Sequence, residues 1–211
     1  MGGVMAVDWF AVAGTAAFTF SGYLVGVRKH LDVLGVVIVS LLTAIGGGLI
    51  RDALISRVPR VFYDTEPLLV IGATLFVAWA LRLHQRENEL IARLFIVADS
   101  IGLVAFSLTG AMVGIELDLN AFGVLALAFI TAVGGGMVRD MLVNDIPFIL
   151  NQDFYGTVAI LVGGGLYLLE RFGLATPLNL QLLFWGGLAL RLIAHWKELT
   201  LPKIVKPAHP D

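Results

Sequence analysis

The sequence predicts an all-α, polytopic membrane protein: seven transmembrane helices, arranged as two inverted three-helix repeats followed by a seventh helix. Three observations carry that expectation. The 211 residues are 58% hydrophobic and 14% charged, with a mean hydropathy of +0.90, whereas a soluble domain carries roughly 25% charged residues. Seven apolar runs approach the ~20 residues a helix needs to span the hydrocarbon core. And a segment of the first half recurs 88 residues later: TAIGGGLIRDAL from Thr43 to Leu54, TAVGGGMVRDML from Thr131 to Leu142.

The runs follow in order. The first, Trp9 to Val27, has no charge. With neither a basic stretch nor a small-residue cleavage site ahead of a soluble domain, it reads as a retained helix rather than a signal peptide. The second is uncharged from Val33 to Ile50. The third, Pro67 to Leu81, is short. The fourth, Leu94 to Ile115, contains one charge, Asp99. The fifth runs from Leu119 to Val138, the sixth and again short one from Phe154 to Leu169, and the seventh from Pro177 to Trp196 with Arg191 near its end. The third and sixth fit a re-entrant segment as well as a span. Snorkelling by Arg82 and interfacial Tyr155 and Tyr167 would extend them.

The repeat reaches beyond the quoted segments. Gly14, Ala17, Phe18, Gly22 and Gly26 align with Gly102, Ala105, Phe106, Gly110 and Gly114, Gly35 with Gly123, and Pro59 with Pro147. The short third run falls on the short sixth. The units are then residues 1–87, residues 88–175, and a seventh helix with a cytoplasmic tail over 176–211. Each copy has three spans, an odd number, so the second copy enters the membrane inverted, an architecture recurrent in transport proteins.

Basic residues set the orientation. With the N-terminus outside, the inner segments carry Arg28, Lys29, Arg82, Arg86, Arg93, Arg191, Lys197, Lys203 and Lys206, the outer ones only Arg57, Arg60 and Arg171. The expectation is N-terminus out and C-terminus in, in a cell (inner) membrane. The inner loop from Asn144 to Asp153 has no basic residue and runs against the trend.

The Gly-Gly-Gly-x-x-Arg-Asp elements carry the functional expectation. Glycine costs a helix about 1 kcal/mol against alanine. Gly46, Gly47 and Gly48, and Gly134, Gly135 and Gly136, are therefore expected to kink or unwind the second and fifth helices. Broken backbone at membrane depth survives where protein buries it or water reaches it, and it offers carbonyls to a cation or N–H groups to an anion. The other reading is close helix packing, as small residues allow in membranes; two equivalent triplets, each followed by Arg-Asp, favour the break. Gly163-Gly164-Gly165 lacks the Arg-Asp and reads as packing, as do Gly22, Gly26, Gly110 and Gly114.

Arg51 and Arg139 lie one turn past the glycines, where a charge costs about 2.5 kcal/mol or more. Neighbours on a helix point in different directions. Each arginine is thus expected to pair across helices or to cap freed carbonyls rather than to meet Asp52 or Asp140; snorkelling is the alternative. A neutralised arginine there can act as a gate or latch. Polar stripes complete the candidate path: Thr15 and Thr19 on the first span, Ser40 and Thr43 on the second, Asp99 and Ser107 on the fourth, Thr131 on the fifth. Their hydroxyls can instead bond their own helices. Asp99, a carboxylate at membrane depth, is expected at a vestibule.

Other classes find no support. The net charge of −2 gives no nucleic-acid footprint, and there is no cysteine. His30, His84, His195 and His209 make no metal-ligand spacing, and no nucleophile elbow, P-loop or dinucleotide fingerprint occurs. No enzyme activity, metal site or cofactor is expected.

The paired Gly-Gly-Gly-x-x-Arg-Asp elements, at Gly46–Asp52 and Gly134–Asp140 in a seven-span chain, resemble the prokaryotic branch of the trimeric intracellular cation (TRIC) channels, over roughly residues 8 to 196. The resemblance implies a homotrimer in which each protomer holds its own pore, lined by the first, second, fourth and fifth spans and shaped by kinked second and fifth helices. It implies permeation of potassium and also sodium, with no cofactor, and N-out, C-in topology. Animal members place Lys-Glu-Val in this region where this chain has Arg-Asp, a departure that counts against carrying over their lipid-regulated gating. Some bacterial relatives are called glycine transporters. The alternative is therefore a carrier for glycine or another small zwitterion, binding its carboxylate at half-helix N–H groups and its amine at Asp99 or a carbonyl.

Overall fold

The computed structural model of the protein describes residues 2–85, 89–151 and 154–199. Arg86, Asp153, Lys203, Lys206 and His209 lie outside them. The described residues form helices and turns without a strand: α1 (Gly2–Arg28), α2 (Val33–Leu54), α3 (Glu66–Ala80), α4 (Glu89–Glu116), α5 (Ala121–Leu142), α6 (Tyr155–Arg171) and α7 (Pro177–Trp196). Single helical turns at Arg60–Phe62, Leu83–Gln85 and Phe148–Asn151 fill three connections. Among these, α1, α2, α4, α5 and α7 are long and apolar enough to cross a bilayer. The 15 and 17 residues of α3 and α6 rise only about 22–26 Å at 1.5 Å each, yet each is one uninterrupted helix.

The repeat is legible atom by atom. The α2 N-cap Asp32 accepts the Gly35 N–H at 2.7 Å, and the α5 N-cap Asn120 accepts the Gly123 N–H at 2.9 Å. The turns use left-handed residues at matching places, His30 (φ 54°) with Asp118 (52°) and Ser56 (55°) with Asn144 (56°). Helices α1, α2, α4 and α5 pack on one another as the central group; α3 lies against α1, α6 against α4 and α5, and α7 against α6 and α4. The α1 C-terminus, the α4 N-terminus and the α5 C-terminus meet at one end, whereas the α4 C-terminus meets the α2 C-terminus and the α1 N-terminal half at the other. Equivalent helices α1 and α4 therefore run in opposite directions, as inverted repeats require.

The glycine triplets do not break the helices. Both α2 and α5 run as continuous α-helix through Gly46–Gly48 and Gly134–Gly136. In lipid an orphaned backbone group costs several kcal/mol, more than the helix penalty of a glycine. What the glycines permit is a crossing of α2 and α5 at backbone contact. A Cβ on Gly47 would run into the Thr131 carbonyl oxygen, and one on Gly135 into the Thr43 carbonyl oxygen. Equivalent residues meet in exchanged roles, so the crossing lies on the pseudo-two-fold axis. The rings of Phe18 and Phe106, also equivalent, meet edge-on there at 5.2 Å. Gly22 and Gly26 seat α1 on α2, and Gly110 and Gly114 seat α4 on α5, as packing glycines should. In α6, Gly163 lies against Ala128.

Candidate functional site

At the α5 end of the central group sits a buried charge cluster. Arg139 Nη1 donates to Asp99 Oδ1 and to Ser21 Oγ, both at 2.5 Å; Ser21 Oγ in turn lies 3.4 Å from Asp99 Oδ1. Arg139 Nε donates to Asp140 Oδ1 at 2.8 Å. The Arg139, Asp99 and Ser21 side chains are sealed from solvent. Desolvating two charges is costly, and their attraction with good hydrogen-bond geometry offsets it. Arg139 also faces the Phe95 ring, 4.9 Å from its centroid.

Arg51 repeats half of this arrangement. Its Nε and Nη2 fork onto Asp52 Oδ1 at 2.8 and 2.7 Å. In both copies the second aspartate oxygen accepts a backbone N–H eight residues on, Arg60 for Asp52 (3.3 Å) and Phe148 for Asp140 (2.7 Å). The Arg-Asp element thus pins the loop after each helix. Adjacent pairing was not expected from helix geometry; the long arginine side chain folds back to its neighbour, although the two Cβ atoms diverge. Snorkelling does not describe Arg139, which is fully buried.

The two halves then differ. Counting back 88 residues, Ala11 stands where Asp99 would be, Pro67 where Tyr155 would be, and Thr109 corresponds to Ser21. Around Arg51 this loss of side-chain volume coincides with a cavity of about 260 Å³ that Ala11, Thr15, Gly48, Arg51, Thr109 and Thr131 help to line, together with Asp52, Arg57 and Glu116. At the opposite end a cavity of about 490 Å³ is lined by Arg28, Phe95, Ile96, Asp140, Asp145 and Phe148. Across that mouth Lys29 Nζ meets Asp145 Oδ1 at 2.6 Å, both partly exposed. The loop without a basic residue thus sits on the side of the basic loop, joined to it by its own carboxylate.

The structure brings Asp99 and Arg139 together, but in a sealed pair rather than at a vestibule. Thr15 and Thr131 line the Arg51 cavity. The stripe hydroxyls bond their own helices: Thr19 donates to Thr15 O, Thr43 to Val39 O, Ser107 to Leu103 O and Thr131 to Leu127 O, at 2.6–2.9 Å. Two features escaped sequence reading. Ser21 is one of many helix serines, and nothing in the pattern marks it. Arg191, counted as a loop charge, is fully buried, its guanidinium 5.0 Å from the Tyr155 ring centroid and 5.7 Å from that of Phe148; its place inside the hydrophobic run was the available signal. The described residues hold no group of histidines and carboxylates able to bind a metal.

These features define a polytopic membrane protein of inverted repeats with a charge-paired core between two opposed cavities. A family model described as "Glycine transporter" matches residues 8–85 and 96–171. The "UPF0126 membrane protein" of Deinococcus radiodurans is 36% identical over 195 residues, 90% of this chain and 86% of that one. The "UPF0126 inner membrane protein YadS" of Escherichia coli K12 is 31% identical over 200 residues, 94% of this chain and 96% of that one. Among solved structures, a prokaryotic TRIC channel crystallised in 0.5 M KCl superposes with a TM-score of 0.84 at 32% identity, over 94% of this chain and all of that one. The TRIC orthologue from Rhodobacter sphaeroides gives 0.82 at 28% identity, over 92% and 98%. The chain belongs to this family of UPF0126 membrane proteins and has the fold of the prokaryotic TRIC cation channels.

Proposed function

We propose that the protein is a potassium-permeable channel for monovalent cations. It works as a homotrimer in the inner membrane, N-terminus outside, each protomer with its own path between α1, α2, α4 and α5. The observation that carries this reading is the pair of cavities approaching the α2–α5 crossing from opposite ends. Between them stand the Phe18–Phe106 contact and the Arg139–Asp99 pair, so the path is closed in this state. Gly46, Gly47, Gly134 and Gly135 hold the crossing, and Gly48 and Gly136 flank it. Thr15 and Thr131 face the open cavity with hydroxyl lone pairs a cation can use; Thr19, Thr43 and Ser107 lie on the same helices. The Asp52 and Asp140 carboxylates balance Arg51 and Arg139, either of which alone would repel a cation. Potassium and sodium are permeants, not cofactors.

The alternative, a glycine carrier, is favoured by the description of the matching family model. Alternating access by inverted repeats is rocking about a central site and calls for closure at both ends. Among the described residues, the ion pairs Arg139–Asp99 and Lys29–Asp145 lie at one end; the residues equivalent to them by the 88-residue offset are Arg51 with Ala11 and Leu117 with Arg57, which cannot form the same pairs. This asymmetry favours a channel. Potassium-loaded proteoliposomes diluted into sodium buffer with a protonophore test the reading. The channel predicts rapid, glycine-independent potassium efflux, whereas flux at the empty-liposome level with saturable glycine uptake supports the carrier.

A further inference from the structure

The second repeat displays what the first lacks. Around Arg139 a carboxylate, that of Asp99, occupies the outer nitrogen Nη1 and touches the Ser21 hydroxyl. Around Arg51 the fork to Asp52 uses Nε and Nη2, and among the described residues Nη1 has no partner. Thr109 supplies the hydroxyl equivalent to Ser21, here donating to the Phe106 carbonyl at 3.2 Å, a long bond that rotation about χ1 exchanges for one to a guest; Ala11 withholds the carboxylate, and both line the cavity together with Arg51. A guanidinium with one edge fixed and the other turned to a cavity is well suited to a carboxylate, because its planar donors match two oxygens. The volume, about 260 Å³, lies just below the roughly 300 Å³ at which sites for drug-sized ligands begin, so the guest is a small molecule.

We infer that the cavity at Arg51 binds a small monocarboxylate from solution, its carboxylate held by Arg51 Nη1 and Thr109 Oγ1 in the place that the Asp99 side chain takes beside Arg139. The protein's own second half is the template for the complex. Glu116 at the same cavity offers a counterpart to an ammonium group, so a small zwitterionic acid also fits the site. The site shares its cavity with the cation path proposed above; binding is measured without ion flux, so failure of one reading is distinguishable from failure of the other.

The test is a titration of the purified protein with sodium acetate, glycine or ethylammonium chloride, against sodium chloride at matched ionic strength, followed by thermal unfolding and by saturation-transfer NMR of the ligand. The expected result is saturable stabilisation by acetate and glycine and none by ethylammonium. Ala11→Asp, which rebuilds the second-half pairing from within, is expected to raise the unfolding temperature without ligand and to weaken acetate binding at least tenfold. Thr109→Val is expected to weaken it severalfold, and decides the matter should Ala11→Asp fail to fold. Acetate indistinguishable from chloride, ethylammonium binding as well as acetate, or binding undiminished in Ala11→Asp or Thr109→Val would overturn the inference.

Discussion

Arg139 and Asp99 form an ion pair, Nη1 to Oδ1 at 2.5 Å, with both side chains closed off from solvent. Two helices of the second repeat are tied by it, and Ser21 of the first repeat joins the same knot. Removing one partner strands the other charge, which typically costs about 3–5 kcal/mol, whereas replacing both with apolar groups is often neutral. Asp99→Ala is therefore expected to destabilise the protein by that order. Asp99→Ala with Arg139→Met is expected to recover most of the loss. Thermal unfolding in detergent checks this, and an additive double variant would refute it.

The glycines separate by position. Gly47 and Gly135 touch carbonyl oxygens across the crossing, while the nearest atom to a Cβ on Gly48 is Arg51 Nη2 at 3.9 Å. Gly47→Ala and Gly135→Ala are expected to cost about 1–3 kcal/mol as overpacking. Gly48→Ala is expected to be neutral or slightly stabilising, since alanine is the better helix former. Were the triplet a hinge, Gly48→Ala would impair transport as much as its neighbour does; parallel stability and flux measurements on the three variants distinguish the two.

Lys29 and Asp145 bridge the connections of the two repeats at one mouth, 34% and 40% exposed. An exposed pair contributes about 0–1 kcal/mol to stability, so its effect is expected in flux rather than in folding. Lys29→Glu places like charges across that mouth and is expected to raise cation flux about twofold at low salt. Adding Asp145→Lys restores the original rate, and the difference fades in 1 M salt as screening shortens to about 3 Å. Flux insensitive to all three changes would remove the pair from the path.

In the loop before α3, the Glu66 N–H and the Arg60 guanidinium hold the Asp64 carboxyl below its usual value. A carboxylate depressed in the folded state contributes order above its unfolded pKa of about 3.9 and loses it as pH falls through the folded value. Arg60→Gln is expected to bring the Asp64 titration, followed by NMR, back toward 3.9. An unchanged titration would show that the backbone N–H alone sets it.

The sequence made the spans, the inversion and the recurrence of the Arg-Asp element legible, because hydropathy and an 88-residue offset are local and additive signals. It misjudged the triplets. Helix propensity argues for a break, but lipid forbids unpaired backbone, and the partner that rewards the glycines, α5 against α2, is visible only in three dimensions. Asp99 was visible as an intramembrane charge; its partner was not, since 40 residues separate it from Arg139. Arg191 was misplaced because charge counting takes a helix end for an interface, whereas the α6 tyrosine Tyr155 draws this guanidinium inward.

Planar-bilayer recording of the purified protein in asymmetric potassium chloride separates conduction from carriage. A potassium-permeable channel gives discrete unitary currents that reverse toward the potassium equilibrium potential and persist without glycine. Silence at every voltage from protein that drives saturable glycine uptake into liposomes would contradict the channel reading.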